Sequence, residues 1–595
     1  MIADLAVRRE SFLRCWRHSP GLTLLSLCCI ALNSVSFAVV GLGLRAVVDG
    51  SIRADFSAIV VGAAGAAAAY TIDLVVGQIG FELRTHVVGR VTLTEVQPEV
   101  MRATMGVDTI EHLERSDYLD RIGVVRAEVW RVVDSGWAAI EAFVFVVRLG
   151  AALAVLATVS PLLLGLLVVA VVPLLLEWHG GRRMRDAEAA AAEDRRLERH
   201  LLALAIDPGA GKELRVAGAA DRLLRRQRQA WESAATTVVR ARLVASLWSA
   251  LGWSIFALGF IGGLVLLVRQ TAGSPAAGGD LVLAITVGAQ LRFAVEQAVE
   301  RSIDAGGAAL VLAPYRWLRE YHAGTAARGG PGLAPPARLT DGIVLDDVSF
   351  TYPGTDRLAV DRLSARLPAG AIVAVVGEYG SGKSTLVKLL AKLYRPDSGA
   401  VRVDGTDLAD LDTAAWRAAM SAAFQDFGRY RTTVAEGVGL GDPAGMDSAE
   451  RIRAAIRTAG AEEFVDRLPQ GTDTMLSTQF GGVELSEGQW QKVALARACM
   501  RAQPLLFVLD EPTASLDAPS ERAIFEAYMT RARAIRGGTG AITVVVSHRF
   551  STVAGADLIL VLEAGRLVES GTHASLLARA GRYAALYDLQ AKAYA

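Results

Sequence analysis

The chain has 595 residues, of which 62 are Lys or Arg and 62 are Asp or Glu, so its formal net charge is zero. Hydrophobic residues make up 52% of the sequence and the mean hydropathy is +0.34. These values exclude an intrinsically disordered chain and are hard to reconcile with a protein that is soluble throughout. The balanced charge also argues against a nucleic-acid-binding protein held by bulk positive charge.

Apolar runs in the first half of the chain predict six membrane-spanning helices. They extend over residues 22–48, 58–79, 137–159, 162–176, 244–268 and 281–299. Each approaches the roughly 20 residues that a helix needs to cross the hydrocarbon core of a bilayer, although the fourth run is short. We therefore expect an all-α, six-helix transmembrane domain over residues 1–322, in which residues 5–18 form an amphipathic helix at the inner interface.

Arginine residues indicate the orientation of these helices. They are dense before the first run, between the second and third runs, and between the fourth and fifth runs, whereas the other connections carry few. Because positively charged loops stay on the cytoplasmic side, both termini are predicted to be cytoplasmic. The chain is thus expected to be a multi-pass protein of a bacterial cell membrane, and its first apolar run is too long for a cleaved signal peptide.

The second half of the chain has the pattern of an α/β domain. Residues 323–340 are rich in Gly, Pro and Ala, a composition typical of a linker. From residue 341 to 595, short β-rich runs alternate with helical segments. The predicted fold class is therefore multidomain, with the all-α membrane domain followed by an α/β P-loop ATPase domain that is expected to lie in the cytoplasm.

A glycine-rich loop in this domain predicts ATP and Mg²⁺ as ligands. It follows the apolar, strand-like run 371–376 and precedes a helical segment. In such a loop the glycines let backbone amides surround phosphate oxygens, Lys383 provides a charge for the β- and γ-phosphates, and Ser384 provides a hydroxyl for Mg²⁺. The predicted nucleotide contacts of the loop are Gly377, Gly380, Ser381, Gly382, Lys383, Ser384 and Thr385.

Further residues fit the chemistry of ATP hydrolysis. Asp510 and Glu511 end a second apolar run, where an acid can hold Mg²⁺ through water and its neighbour can polarise the attacking water. Gln425 is expected to sense nucleotide and Mg²⁺, and His548 to contact a γ-phosphate. Taken singly, these residues could equally be a charged strand end, a surface amide and a structural histidine; the phosphate loop favours the catalytic interpretation.

The order of these motifs resembles that of the ATP-binding cassette (ABC) family. The phosphate loop, Gln425, the run Leu-Ser-Glu-Gly-Gln at 485–489, Val-Leu-Asp-Glu at 508–511, Ser-Leu-Asp at 515–517 and Ser-His-Arg at 547–549 follow one another as in that family. Tyr352 matches the aromatic residue that stacks on adenine. Six helices followed by one cassette resemble, over essentially the whole chain, a half-transporter of the exporter (type IV) fold.

The resemblance implies how such a chain would work. Two cassettes sandwich two ATP molecules, each between the phosphate loop of one chain and residues 485–489 of the other, so a single chain is expected to be inactive. Glu511 would be the catalytic base and His548 its switch partner. The tips of the cytoplasmic loops, near 111–120 and 208–215, would be coupling helices. Further nucleotide contacts would come from Ser486, Gly488, Gln489 and Asp517, and Mg²⁺ would be held by Ser384, Gln425 and, through water, Asp510.

One residue departs from the family pattern. Where the family usually has glycine, this chain has Glu487, and a carboxylate close to the γ-phosphate of the partner's ATP would repel it. One interpretation is a solvated side chain that leaves the backbone amides usable. The other is a heterodimer in which this segment serves a weakened ATP site. A homodimer is favoured, and a heterodimer stays open.

Ionisable residues inside the apolar runs are candidates for a substrate cavity, because such residues are costly in a membrane and usually face a cavity or a partner. They are Asp73, Glu141, Arg148, Arg292, Glu296 and Glu300. The last three are one helical turn apart and share a face. The alternative is that these acids and arginines pair with one another and lock helices together.

The sequence thus predicts an ATP hydrolase coupled to membrane transport. The expected partners are a second half-transporter, the lipid bilayer and the substrate, with no nucleic acid. The favoured function is export of a peptide, secondary metabolite, drug or lipid-like molecule by alternating access. One alternative is an importer of the same fold, for example for a siderophore. Another is a P-loop ATPase acting on nucleic acid, which the six apolar runs disfavour.

Overall fold

The computed structural model describes residues 2–271, 277–328, 332–511, 518–547 and 553–594. Within these ranges some segments, including 290–307 and 518–525, are described by their backbone alone. Internal contacts divide the chain into two compact units. The first comprises Met1–Arg102 and Arg121–Arg319, and the second comprises Ala103–Asp120 and Glu320–Ala595.

The chain up to Arg328 is helical. Its helices are α1 (Ile2–His18), α2 (Pro20–Arg53), α3 (Phe56–Thr71), α4 (Gly77–Val91), α5 (Gln97–Met105), α6 (Ser116–Ala127), α7 (Trp130–Val159), α8 (Leu166–Ala190), α9 (Ala192–Ile206), α10 (Pro208–Val216), α11 (Ala220–Thr271) and α12 (Ala277–Arg328). Short π-helical segments join α3 to α4 and α4 to α5, so these three form one continuous rod.

Four helical stretches among the described residues are long and apolar enough to cross a membrane. They are Pro20–Arg53, Phe56–Met105, Pro161–Ala190 and Ala220–Gln270. The other two predicted spans lie in α7 and α12, whose apolar stretches, Val147–Val159 and Gly278–Ala289, are shorter. A helix occupies each of the six predicted positions, and four of them meet this measure over the described residues.

Small residues let neighbouring helices of the first unit approach closely. A Cβ atom on Gly43 of α2 would lie 2.7 Å from the carbonyl oxygen of Gly62 in α3, and a Cβ on Gly62 would lie as close to the carbonyl of Gly43. Because lipid tails provide no hydrophobic drive for association, close van der Waals packing between small residues is a principal force that holds membrane helices together.

The second unit contains two β-sheets. Its strands are β1 (Gly342–Thr351), β2 (Leu358–Pro368), β3 (Ile372–Gly377), β4 (Ser398–Val403), β5 (Thr406–Asp407), β6 (Met420–Ala423), β7 (Leu506–Asp510), β8 (Ile542–Val546), β9 (Leu558–Glu563) and β10 (Arg566–Gly571). The antiparallel sheet has the order β2-β1-β4-β5, and the six-stranded sheet has the order β10-β9-β3-β8-β7-β6. In the larger sheet every pair except β9–β10 is parallel.

Helices cover the six-stranded sheet and bury its strands. They are α13 (Lys383–Leu390), α14 (Thr413–Ala418), α15 (Val434–Gly439), α16 (Ala449–Thr458), α17 (Glu462–Asp466), α18 (Glu487–Ala498), α19 (Ala518–Thr539), α20 (His573–Ala578) and α21 (Arg582–Tyr594). Strands β7 and β8 are buried along their whole length, as expected for parallel strands covered on both faces. Since the strands run parallel, the loops that follow β3 and β7 emerge at the same edge of the sheet.

The segment predicted as a linker, 323–340, is attached to the second unit. Helix α12 continues through Arg328, so the first residues of this segment are helical. Farther on, the amide of Leu333 donates to the carbonyl of Asp410 (2.8 Å), and the amide of Leu339 donates to that of Thr539 (2.8 Å).

The segment 103–120 also belongs to the second unit. The amide of Ile110 donates to the carbonyl oxygen of Leu393 at 3.1 Å, and Arg417 donates to the carbonyl of Asp108. This stretch overlaps the first predicted coupling helix, at 111–120. Within that range, Glu111 forms a hydrogen bond with the backbone of Arg395, and Glu114 forms one with the side chain of Tyr394. The second predicted coupling segment, 208–215, lies in α10 of the first unit.

Candidate functional site

The glycine-rich loop folds into a cradle at the end of β3. Gly377 (φ 153°), Gly380 (75°) and Gly382 (98°) all have backbone angles that side chains rarely adopt. A Cβ on Gly377 would lie 2.2 Å from the carbonyl oxygen of Leu562. Glycine is therefore required here by close backbone approach as well as by conformation.

Lys383, the first residue of α13, reaches back across the loop. Its Nζ donates to the carbonyl oxygens of Gly377 (3.0 Å) and Glu378 (2.9 Å). Burial lowers the pKa of Lys383, against the effect of the nearby Glu511 and Asp510. The buried hydroxyl of Ser381 has no hydrogen-bond partner among the described residues. A cradle of backbone amides at a helix start, a lysine and an unsatisfied hydroxyl fit the phosphates of a nucleotide.

Asp510 lies at the end of β7, beside the phosphate loop. Ser384 Oγ donates to its Oδ1 at 3.4 Å, and burial raises the pKa of Asp510 to about 6, with the hydroxyl of Ser384 opposing this shift. A hydroxyl and a carboxylate side by side are the oxygen ligands that Mg²⁺ prefers. Among the described residues no group of three or more His, Cys, Asp or Glu forms a metal cluster.

The structure brings Gln425 and Glu511 together. The Nε2 of Gln425 donates to Oε2 of Glu511 at 3.0 Å, although 86 positions separate the two residues. Glu511 adopts a left-handed backbone conformation (φ 48°), and its amide donates to the carbonyl of Val546 on β8 (3.0 Å). A non-glycine residue in this region is strained, and such strain is found most often where a side chain must be aimed at a substrate.

Tyr352 lies in a cluster of aromatic rings next to the phosphate loop. Its ring meets those of Phe350 and Tyr394 edge-on, at centroid distances of 5.1 and 5.4 Å. Its hydroxyl is 3.1 Å from Oγ1 of Thr385, and the Nζ of Lys388 lies 5.4 Å from the ring centroid. No sequence motif points to Lys388, which lies on α13, or to Tyr394, which lies four residues beyond the end of that helix.

Residues 485–489 form the start of α18. Ser486 is the N-cap: its hydroxyl accepts from the amide of Gln489 (3.3 Å), and the side chain of Gln489 accepts from the amide of Ser486 (2.9 Å). Gly488 is the second residue of the helix. The departure from the family pattern, Glu487, is paired with Arg429, whose Nη2 lies 2.6 and 2.5 Å from the two carboxylate oxygens. No sequence motif points to Arg429, which lies 58 positions before Glu487.

Two predicted nucleotide-site residues, Asp517 and His548, lie outside the described residues. Among the predicted cavity residues, Arg292, Glu296 and Glu300 lie within α12, but their side chains are not among those described.

Glu141 borders a cavity in the first unit. It is ion-paired with Arg84, which also contacts Asp134, and all three line a cavity of about 310 Å³. The rest of the lining is largely apolar and includes Phe81 and Trp130. Of the two interpretations of Glu141, the ion pair with Arg84 is present in the structure, and a role in a substrate cavity stays a prediction.

Asp73 lies in the π-helical segment between α3 and α4. Its Oδ1 accepts from Nδ2 of Asn33 (3.0 Å) and from Oγ of Ser36 (3.1 Å), both on α2. Arg148 of α7 is buried, with 8% of its surface exposed, and Asp73 interacts with it electrostatically. These residues form a polar cluster among membrane-length helices, and π-helical turns occur frequently at functional sites.

The glycine-rich loop between β3 and α13, with an acid pair after β7, defines a P-loop nucleotide-binding domain. Residues 360–514 match the ABC transporter family. The chain is 42% identical over 253 residues to an ATP-dependent lipid A-core flippase of Aromatoleum aromaticum, covering 42% of this chain and 40% of that protein. It is 38% identical over 327 residues to an ATP-dependent lipid A-core flippase of Pseudomonas aeruginosa, covering 55% of this chain and 52% of that protein.

The fold is similar to that of a bacterial Atm1-family ABC exporter solved with ATP bound, with a TM-score of 0.73 and 24% identity, over 96% of this chain and 98% of that one. The chain therefore contains an ABC transporter domain, and it has the fold of an exporter in which membrane-type helices and that domain belong to one polypeptide. It spans about half the length of the curated relatives that it matches.

Proposed function

We propose that the chain is an ATP-driven exporter of the bacterial inner membrane that moves a lipid-like, amphipathic substrate and works as a dimer. The observation that carries this proposal is the combination, in one polypeptide, of membrane-length helices with a phosphate cradle. Beside that cradle stand the pairs Ser384–Asp510 and Gln425–Glu511. The orientation is the one that the arginine-rich loops indicate, with both termini and the ATPase domain in the cytoplasm.

Two observations favour a lipid-like substrate over a peptide, drug or other secondary metabolite. The first is the repeated similarity to proteins named lipid A-core flippases. The second is the chemistry of the cavity beside α4 and α7, where a charged cluster, Arg84 with Asp134 and Glu141, adjoins aromatic and aliphatic walls. Such a cavity matches an amphipathic molecule, whose polar head would meet the charged cluster and whose apolar part would meet the walls.

In the proposed mechanism, each residue of the ATP site has a role. The loop amides and Lys383 bind the phosphates, while Ser384 and Asp510 orient Mg²⁺, which when bound neutralises the charge that develops on the transferred phosphoryl group. Glu511 accepts a proton from the attacking water, and Gln425 holds its carboxylate in position. His548 is proposed to contact the γ-phosphate.

The second half of each ATP site is proposed to come from the partner chain. Its segment 485–489 would face the nucleotide with the amides at the start of α18, and Asp517 would add a further contact from outside the phosphate loop. The substrate-facing groups are proposed to be Asp73, Glu141 and Arg148, together with Arg292, Glu296 and Glu300 of α12.

The substitution Glu511→Gln tests the catalytic assignment. We expect the variant to bind ATP as the unmodified protein does and to hydrolyse it at least about 100-fold more slowly, because a general base contributes about 10²- to 10⁴-fold. The measurement is ATP turnover by the full chain in liposomes, beside nucleotide binding. The matched control is Glu450→Gln, an exposed acid of α16, which should leave turnover unchanged. Near-normal turnover by Glu511→Gln would reject the assignment.

The direction of transport separates export from the alternative, import by a transporter of the same fold. Liposomes are prepared with the ATPase domain outward and a fluorescent short-chain phospholipid in the outer leaflet. An exporter should move the lipid to the inner leaflet when ATP is added outside. The Glu511→Gln variant should abolish this movement. In a second preparation with the lipid in the inner leaflet, ATP-dependent movement to the outer leaflet would support the importer.

A further inference from the structure

We infer that Arg429 is a positioning residue that neutralises Glu487, and thereby keeps the start of α18 able to face the anionic nucleotide of a partner chain. The inference rests on the proposed function, in which α18 of one chain approaches the ATP bound by the other. It concerns the one residue of segment 485–489 that departs from the family pattern.

The first turn of α18 has backbone amides that are not paired within the helix, and the carboxylate of Glu487 belongs to the same turn. The capping interaction between Ser486 and Gln489 occupies the amides of these two residues. The first-turn amides that remain are those of Glu487 and Gly488, which have no partner within the helix itself. Helix geometry therefore leaves a small anion-binding surface, and a bare carboxylate on its first residue would oppose a phosphate there.

In the contact between Arg429 and Glu487, the positively charged guanidinium lies directly beside the carboxylate. One guanidinium nitrogen lies 2.5 and 2.6 Å from the two oxygens, while the side chains are 51% and 50% exposed. An ion pair as exposed as this contributes only about 0 to 1 kcal/mol to folding. Its consequence is thus the charge that the surface presents: neutral with Arg429 in place, and negative without it.

The backbone around Arg429 is fixed before any partner arrives. The carbonyl oxygen of Gly428 accepts from Arg497 (3.2 Å), whose guanidinium also lies 4.3 Å from the ring centroid of Tyr430. Arg431 donates to Gln479 at 2.6 Å. Because Arg497 belongs to α18, these contacts tie the segment 428–431 to the helix whose first residue Arg429 covers. The backbone of Arg429 is therefore held beside the start of α18, while its side chain still loses rotamer freedom when it pairs with Glu487.

The test is a charge cycle at these two positions, measured as the KM and kcat for ATP of the full chain in liposomes. Arg429→Ala should raise the KM by about tenfold, since juxtaposed like charges at an interface cost more than about 1.4 kcal/mol. The double variant Arg429→Ala with Glu487→Gln should recover most of this loss, because the charge that needed covering is gone. Arg429→Lys should retain most of the unmodified behaviour, and Glu487→Gln alone should lower the KM or leave it in place.

Two controls separate this role from a structural one. Arg431→Ala removes a cation two positions away that pairs with Gln479 instead, and should not raise the KM. The defect of Arg429→Ala should also shrink as salt is raised from about 0.05 to 0.5 M, because exposed charges are screened. Thermal unfolding of each variant verifies that it is folded.

A normal KM for Arg429→Ala would overturn the inference. So would a double variant as impaired as Arg429→Ala alone, which would mean that Arg429 acts on something other than Glu487. If the unmodified chain has no ATPase activity that Glu511→Gln removes, the proposed function itself has failed, and that result is distinct from either of these.

Discussion

The two acids at the end of β7 stand in different surroundings. Asp510 is buried, with 4% of its surface exposed, and its pKa is raised to about 6 by burial. Glu511, one position later, leaves the sheet with a left-handed backbone and meets Gln425. The buried acid carries a desolvation cost for its charge in the nucleotide-free protein, and bound Mg²⁺ would remove that cost.

We predict that Asp510→Asn stabilises the nucleotide-free protein above pH 6. The folded pKa of about 6 lies above the ordinary value of 3.8, so the folded state of the unmodified chain loses stability as pH rises from about 4 to 6. Asparagine avoids this loss, which is roughly 2 to 3 kcal/mol at most. Thermal unfolding of the full chain in EDTA should show a gain at pH 7.5 that disappears toward pH 4.

The exposed Asp466→Asn is the control for this substitution, and should give no such pH-dependent gain. A gain for Asp510→Asn that is equal at pH 4 and pH 7.5 would show that charge burial is not its source. The expected gain in stability comes with a loss of function, because an asparagine side chain at this position lacks the charge proposed to orient Mg²⁺.

The residues of the ATP site could be predicted from the sequence where they are neighbours along the chain. The loop from Gly377 to Ser384 carries its function in eight neighbouring positions. Two arginines that pair with acids of the phosphate loop and of segment 485–489 could not be predicted, because no local sequence pattern links them to those acids. Arg429 precedes Glu487 by 58 positions, and Arg582 follows its partner Glu378, 2.5 Å away, by 204. Such pairs are set by the way α18 and α21 pack.

At the scale of elements, the segment that joins α12 to β1 makes contacts that composition alone does not predict. Its Gly- and Pro-rich sequence predicted a linker, and the structure holds residues 332–341 to the second unit by backbone hydrogen bonds, which composition does not encode. Asp404, in the turn between β4 and β5, adds a side-chain acceptor to this attachment. Its carboxylate accepts from the amides of Thr340 (2.9 Å), Asp341 (2.9 Å) and Gly342 (2.7 Å).

We predict that Asp404→Ala lowers the unfolding temperature at neutral pH, by losing hydrogen bonds worth about 1 to 3 kcal/mol together. Burial alone would raise the pKa of Asp404, but the amides outweigh it and hold the pKa below its ordinary value. Stability from such a group is present above about pH 4 and is lost as pH falls through the lowered pKa. The penalty of the substitution should therefore be smaller at pH 3 than at pH 7.

The exposed Asp410→Ala, six positions along, provides the comparison; the structure describes no hydrogen bond of its side chain. Equal unfolding temperatures for the two variants would show that the carboxylate of Asp404 does not anchor the segment.

At the scale of the whole molecule, the charged residues within the apolar runs are concentrated in two of the six predicted spans. Helix α7 carries Glu141 and Arg148, and both are buried within the first unit. Helix α12 carries Arg292, Glu296 and Glu300. The residues that make these helices candidates for a substrate path also lower their hydropathy. The balanced total of 62 basic and 62 acidic residues hides this segregation.

Also at the scale of the whole molecule, the proposed dimer shares each ATP between two chains. Shared and unshared ATP sites predict opposite results for the same pair of substitutions. Lys383→Ala removes the charge that the phosphate loop offers, and Ser486→Arg blocks the start of α18. Placed on two different, separately tagged chains, the two lesions leave one composite site intact if each ATP is shared between chains. Placed together on one chain that is paired with an unmodified chain, they leave none.

We therefore predict that purified dimers with the lesions on separate chains hydrolyse ATP, and that dimers with both lesions on one chain do not. If instead each chain forms a complete site by itself, the first dimer has a defect in both sites and is inactive, while the unmodified chain of the second dimer stays active. The two arrangements contain the same substitutions in the same number, so altered folding or expression cannot reverse their order. Only the sharing of ATP between chains gives activity to the first dimer and denies it to the second.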